Sequence, residues 1–168
     1  LAWIHQWGDA LIPYICDAGE LLEGAVNAGK GIMFEAQLGA LRDIQYGIYP
    51  FTSSSSPLAA EAPVGCGMPS LKVDEVVGVT KAYSTCVGEG PFVGELDGDA
   101  AHDLREAGAE YGAATGRPRR VAWMDIPATR YGTKLQGATA LALTKMDVLS
   151  YLDEIPVCVA YRLNGETT

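Results

Sequence analysis

Ala138-Thr-Ala-Leu-Ala-Leu-Thr-Lys145-Met-Asp147 is the stretch that decides the fold. Ala138 to Leu143 reads as an apolar strand. At its carboxyl edge stand a lysine and an aspartate two residues apart. Upstream, Asp125 is placed to cap a helix running to about Leu135, with Pro127 tolerated in the first turn. Before that come a helical segment, Ala100 to Ala109, and an apolar run whose strand portion lies near Gly78 to Cys86. Downstream, Ile155 to Tyr161 reads as a further strand. Strands that alternate with helices point to an α/β domain with a largely parallel sheet and flanking helices.

Toward the amino terminus the pattern changes. Ile4, Leu11, Ile15 and Leu22 recur at helical spacing over the first thirty residues, with Pro13 and Gly19 as expected breaks. Gly31 to Glu35 fits a short buried strand. Ala36 to Ser70 is rich in Gly, Ser, Pro and Ala and has little periodicity, so it is either disordered or a binding loop. Gly24 to Gly31 nearly spells a phosphate-binding loop. However, Gly31 occupies the position that needs a hydroxyl for Mg²⁺, and the pattern follows a helix instead of a strand. No internal repeat is present, and residues 1–168 read as one partial domain: a helical segment over 1–30 and an α/β part over 31–168.

Of the 168 residues, 48% are hydrophobic, enough for a sizeable core. The net charge of −9 argues against general nucleic-acid or anionic-membrane binding, which require a basic face. No apolar run approaches the ~20 residues of a bilayer span. Leu1 to Asp9 has no basic start and no initiating Met, so it is not read as a signal peptide, and a piece of a longer chain is expected. Cys16, Cys66, Cys86 and Cys158 show no paired spacing, and only His5 and His102 could add imidazole. Reduced, buried thiols are expected in place of a zinc site.

Three segments carry chemistry. In open α/β sheets ligands bind beyond the carboxyl ends of strands, where Lys145 and Asp147 stand. A carboxylate there can accept both hydrogen bonds that guanine's ring N–H and exocyclic amine offer, and a lysine stem can cover the purine face. The second segment is Ala113-Ala-Thr-Gly116-Arg117-Pro-Arg119-Arg120. From Arg117 to Lys145 the chain holds six of its twelve basic residues and one acidic one, +5 against −14 elsewhere. Such a turn suits small anions, which arginine grips bidentately. The third is Phe34-Glu-Ala-Gln37-Leu-Gly39 followed by Asp43 to Ser56, where an amide and several hydroxyls could meet a ligand.

Taken in order, these segments resemble adenylosuccinate synthetase. Phe34 to Ser56 is similar to the family's FEGAQG…DIDxGTYPFVTSSN stretch. Gly78 to Phe92 (GVTKAYSTCVGEGPF), Glu110 to Asp125 (EYGAATGRPRRVAWMD) and Ala140 to Tyr161 resemble three further blocks. The resemblance covers roughly Gly31 to Arg162 and implies a truncated central domain of P-loop-NTPase-like type. It also implies a cytoplasmic ligase, homodimeric at full length, that uses GTP and Mg²⁺ to join IMP and L-aspartate into adenylosuccinate. By matching positions, Gln37, Ser53 and Arg117 would bind IMP, with Val87 near its ribose. Ala113, Ala114, Thr115, Gly116, Arg117, Pro118 and Arg119 would form the aspartate loop. Arg119, Lys145, Met146 and Asp147 would bind GTP.

There are departures. Gln37 takes the glutamine position only with a local shift, since an ungapped alignment puts Leu38 there. Ser53 replaces a threonine, Ala114 replaces a threonine, and Cys86 stands where many members have arginine. The family's Gly-rich phosphate loop with its catalytic aspartate, which carries the Mg²⁺ chemistry, is absent, as is its catalytic histidine. The resemblance therefore implies a fragment that holds binding determinants without turnover.

Overall fold

The computed structural model describes every residue from Leu1 to Thr168. They form two compact units, Leu1–Glu35 with Ala60–Val73 and Ala36–Ala59 with Asp74–Thr168.

The first unit is helical. Helix α1 (Ala2–Leu11) gives way to a 3₁₀ turn, Ile12–Tyr14, at Pro13, which has no amide hydrogen to continue the α ladder. Helix α2 (Ala18–Asn27) starts at Asp17, whose carboxylate accepts the Glu20 amide at 3.1 Å. Gly19 lies within its first turn and breaks nothing. Helix α3 is short (Glu61–Gly65). Gly31 to Glu35, expected as a buried strand, is irregular, and Met33 is 90% exposed. An apolar run becomes a strand only where a neighbour meets its amides and carbonyls, and none does so here.

The second unit contains β1 (Val77–Lys81), β2 (Tyr83–Cys86), α4 (Gly98–Gly108), β3 (Arg120–Asp125), α5 (Ile126–Gln136), β4 (Ala140–Thr144) and β5 (Val157–Cys158). A terminal hairpin pairs β6 (Arg162–Leu163) with β7 (Glu166–Thr167). The architecture is mixed α/β with helices and parallel pairing. Strands β1 and β4 are parallel, as are β3 and β5, and β2 runs antiparallel to β3. The run from Gly78 to Cys86 is therefore two strands serving different sheets, divided at Ala82. The strand expected over Ile155 to Tyr161 contracts to Val157–Cys158. Pro156 cannot donate to a ladder, and Tyr161 leaves it to place its hydroxyl 2.8 and 2.7 Å from the two Asp125 oxygens. Asp125 also caps α5, accepting the Ala128 amide at 2.9 Å, as its position before Pro127 suggests.

The core is built from Ala82 between β1 and β2, Tyr83 at the start of β2, Ala101 and Leu104 on α4, Val121 on β3, and Leu149 just beyond β4. On β1 and β4 the apolar side chains are much less covered: Val77, Val79, Leu141 and Leu143 are each about half exposed or more. Parallel strands are ordinarily covered on both faces. All four cysteines are free thiols; Cys86 is buried, whereas Cys16 is exposed.

Residues 36–59 hold one 3₁₀ turn, Ala40–Arg42, and are otherwise irregular but tied down. Asp43 is 1% exposed, and its carboxylate accepts the amides of Gln45 and Tyr46 at 2.9 and 2.8 Å and the Ser56 hydroxyl at 2.5 Å. Burial alone would raise its pKa. The Ser56 hydroxyl and the two amides overcome that and hold it below the ordinary carboxylate value. Gly47 closes the same turn, and a Cβ there would sit 2.4 Å from the Asp43 carbonyl oxygen. At the end of α5, Gln136 accepts the Ala59 amide at 2.7 Å and donates to the Pro57 carbonyl at 3.1 Å.

Leu104→Ala, at a side chain with no exposure, is expected to lower unfolding stability by about 2–5 kcal/mol. Leu143→Ala is expected to cost well under half as much, read as urea midpoints at unchanged slope. Asp43 releases its proton at lower pH in the folded chain than in the unfolded one. Its contribution is therefore complete above the unfolded value of about 3.9 and fades as pH falls through the lower folded value. Asp43→Asn should flatten that acid limb in a pH series of melting temperatures, and an unchanged limb would assign it to other carboxylates.

Candidate functional site

Strand register places the two halves of the candidate site. Lys81 ends β1 opposite Thr144, which ends β4, and the Ala82 amide donates to the Thr144 carbonyl at 2.9 Å. Lys145 follows immediately with φ of 63°, a left-handed conformation uncommon outside glycine. The chain thereby leaves the strand direction, and the 3₁₀ turn Asp147–Leu149 sets Leu149 into the core at 1% exposure. Lys145, Met146 and Asp147 are exposed above this anchor. The Ser150 hydroxyl donates to the Asp147 carbonyl at 2.6 Å, which leaves the Asp147 carboxylate free of hydrogen bonds within the chain.

The arginine turn is held from its backbone. The Gly112 amide donates to the Arg117 carbonyl at 2.8 Å, and the Gly116 amide to the Gly112 carbonyl at 2.7 Å. Tyr111 bridges Pro118 in antiparallel fashion, so Ala113 to Gly116 form an exposed tip. Gly116 has φ of 62°, the conformation this tip requires. The Thr115 hydroxyl accepts the Arg117 amide at 3.4 Å. Arg117 is exposed and has no ion-pair partner.

Arg119 differs. Its Nη1 donates to the Glu110 carboxylate at 2.8 Å, and its amide donates to the Glu110 carbonyl at 2.9 Å. Glu110 is 2% exposed and also accepts Lys81 Nζ at 3.0 Å and the Tyr83 hydroxyl at 2.6 Å. Burial pushes the carboxyl upward, but the Tyr83, Lys81 and Arg119 donors reverse this and hold it below the usual range. The Tyr83 phenol is pushed well up by burial and by the facing carboxylate, with a further push from Asp147. Half-burial moves Lys81 down, opposed by Glu110 and assisted by the charges of Arg119 and Lys145. Lys81, which ends β1 beside β4, thus shares the Glu110 carboxylate with Arg119.

The amide-and-hydroxyl segment gathers as well. Gln37 Nε2 donates to the Ser55 hydroxyl at 2.7 Å, which lies 3.1 Å from the Ser53 hydroxyl. Leu38, at φ of 66°, is 69% exposed and contributes no polar atom. Val87 enters through Arg42, whose guanidinium reaches the Phe51 carbonyl at 2.5 Å, Cys86 Sγ at 2.7 Å and the Val87 carbonyl at 3.4 Å. The Arg42 carbonyl in turn accepts the Ser53 amide at 2.8 Å. Arg120 fixes the neighbouring loop, pairing with Glu95 through both carboxylate oxygens and donating to the Gly88 and Gly90 carbonyls at 3.2 and 2.9 Å. Because Cys86 lies opposite Arg120 in the β2–β3 ladder, Val87 and the arginine turn leave the same end of that ladder.

The site residues therefore fall into two groups spaced along β2. Lys145 to Asp147 lie near its start, and Gln37, Ser53, Val87 and the backbone of the arginine turn lie near its end, while the Arg119 side chain reaches the Glu110 carboxylate that Tyr83 also holds. Four residues of strand separate them, roughly 13 Å. The hollow beside α5, lined by Met124, Thr129, Thr133, Gly137 and Leu141, contains none of these residues. Sequence reading missed Glu110, Lys81, Tyr83 and Arg42. A single glutamate following Ala109 gives no periodic signal, and its importance comes only from burial.

The family model for adenylosuccinate synthetase matches residues 1–168. The adenylosuccinate synthetase of Thermomicrobium roseum is 48% identical over 162 residues, 96% of this chain and 38% of that protein. The Thermus thermophilus enzyme of the same name is 48% identical over 161 residues, 96% of this chain and 40% of that protein. A solved structure titled as fully ligated adenylosuccinate synthetase from Plasmodium falciparum superposes with a TM-score of 0.94 at 37% identity, covering 99% of this chain and 40% of that one. The chain thus spans about two fifths of the length of the relatives it matches. With its whole length matched and its motif blocks disposed along one strand, this chain belongs to the adenylosuccinate synthetase family.

Proposed function

We propose that these residues are the central portion of a GTP-dependent ligase that joins IMP and L-aspartate to give adenylosuccinate, on the AMP branch of purine nucleotide synthesis. The observation that supports it best is the exposed, unpartnered Asp147 carboxylate, raised on a left-handed turn at the exit of β4. The strand paired with β4 ends at Lys81, which shares the Glu110 carboxylate with Arg119.

In this reading Asp147 accepts the guanine ring N–H and exocyclic amine, and the Lys145 stem, with Met146 beside it, covers the base. Arg119 meets the nucleotide's phosphates. Gln37 and Ser53 bind IMP, and Val87 borders its ribose. The tip from Ala113 to Pro118 receives the aspartate carboxylates on Thr115 and backbone amides, while Arg117 reaches both aspartate and IMP. The γ-phosphoryl group moves to the IMP 6-oxygen, forming an O–P bond as the bond to GDP breaks. The aspartate amine then forms the new C–N bond at C6, and inorganic phosphate departs with the oxygen. The poor leaving oxygen becomes a good one, and this segment contributes positioning and charge stabilisation. Mg²⁺ belongs to the reaction as implied by the family. No three His, Cys, Asp or Glu side chains in this chain gather into a metal site. A homodimer with composite sites and a cytoplasmic setting complete the reading.

A second reading, an incomplete nucleotide-binding module of the same fold, draws on Leu38, Ala114 and Cys86, where expected polar groups are missing. Exchanging this segment for its counterpart in the Thermus thermophilus relative separates the two. The ligase reading expects the chimera to form adenylosuccinate and the 168 residues alone to form none. In the chimera, Asp147→Asn should lower kcat/KM for GTP at least 100-fold, or about 2.7 kcal/mol. Xanthosine triphosphate should recover part of the loss, because the asparagine amide can donate to the 2-oxo group that replaces guanine's amine. An inactive chimera that still binds GDP favours the module, and activity in the isolated segment overturns the fragment assignment.

A further inference from the structure

A carboxylate at 2% exposure in contact with an ammonium, a phenol and a guanidinium is an expensive arrangement. Buried ion pairs often add little net stability, so their retention calls for another account. Four observations supply one. First, Glu110 lies at the hinge between α4 and the arginine turn: its amide donates to the Arg105 carbonyl at 2.9 Å, and its own carbonyl accepts the Arg119 amide. Second, the fit is close. A Cβ on Gly108 would stand 2.6 Å from the Tyr83 hydroxyl oxygen and 3.0 Å from Glu110 Cγ. Third, the two carboxylate oxygens are divided. One takes Lys81 and Tyr83, from the strands beside the Lys145–Asp147 turn, and the other takes Arg119 alone. Fourth, Arg119 Nε is buried and donates to nothing. A buried donor left without a partner is unusual in a folded chain.

We propose that Glu110 is a positioning residue: its carboxylate orients the Arg119 guanidinium and, through Lys81, fixes that arginine relative to the strand end from which the Asp147 turn departs. The functional half of this proposal rests on the ligase reading.

A double-mutant cycle tests it in the chimera described above. Glu110→Gln keeps the side chain's size and removes its charge. The expected result is a rise in KM for GTP of about tenfold with kcat changed less than threefold. Arg119→Met should raise KM further, and the double variant should be no worse than Arg119→Met alone, since Glu110 acts through that arginine. A purely structural glutamate would instead add its full effect in the Arg119→Met background, and that additivity would overturn the proposal, as would an unchanged KM in Glu110→Gln. If the unaltered chimera makes no adenylosuccinate, the ligase reading fails and the same cycle is read by urea unfolding of the 168-residue chain. Non-additive midpoints between positions 110 and 119 would support the hold on Arg119, and additive ones would remove it.

Discussion

A carboxylate taken out of water must be met by donors from every side, and those donors must come from wherever the chain can supply them. Glu110 draws on the end of β1, the start of β2 and the start of β3 at once. Each contribution constrains a different part of the molecule. Lys81 fixes where β1 stops, Tyr83 fills the core beneath β2, and Arg119 anchors the base of the arginine turn. The candidate site is thus arranged around one buried anion, while the groups that would touch ligands stand exposed on turns.

The same economy operates on the other side of β2. Asp43 organises residues 36–59 by accepting two amides and a hydroxyl, and Arg42 beside it joins the Ser53 backbone to the exit of β2. Apart from the 3₁₀ turn Ala40–Arg42, this segment is defined by polar contacts in place of a ladder. Gln37, Ser53 and Ser55 form a short hydrogen-bonded chain on its surface. Hydroxyls and amides that already exchange hydrogen bonds with one another can turn toward a ligand without leaving buried groups unsatisfied, because they are exposed or only half-buried.

Much of the architecture was legible in the residue order. The cap at Asp125, the helix behind it, the strand read over Ala138 to Leu143 and the helix read over Ala100 to Ala109 all have local signals, and the structure carries each with ends shifted by one or two residues. Elements decided by remote partners were not legible. Gly31 to Glu35 has strand composition but no neighbour, and the run through Ala82 has the composition of one strand but is shared between two sheets. The same divide holds at the site. Exposed turn residues announced themselves by type and spacing, whereas Glu110 and Lys81 acquire their roles only when burial brings distant segments together.

The backbone at Lys145 has one more consequence. Because this residue sits in a region that β-branched side chains strongly avoid, valine, isoleucine or threonine there would favour an extended backbone and draw the chain onward along β4. The aspartate two positions later would then swing off its perch above Leu149. The bend at 145 is thus a pivot that admits few residue types.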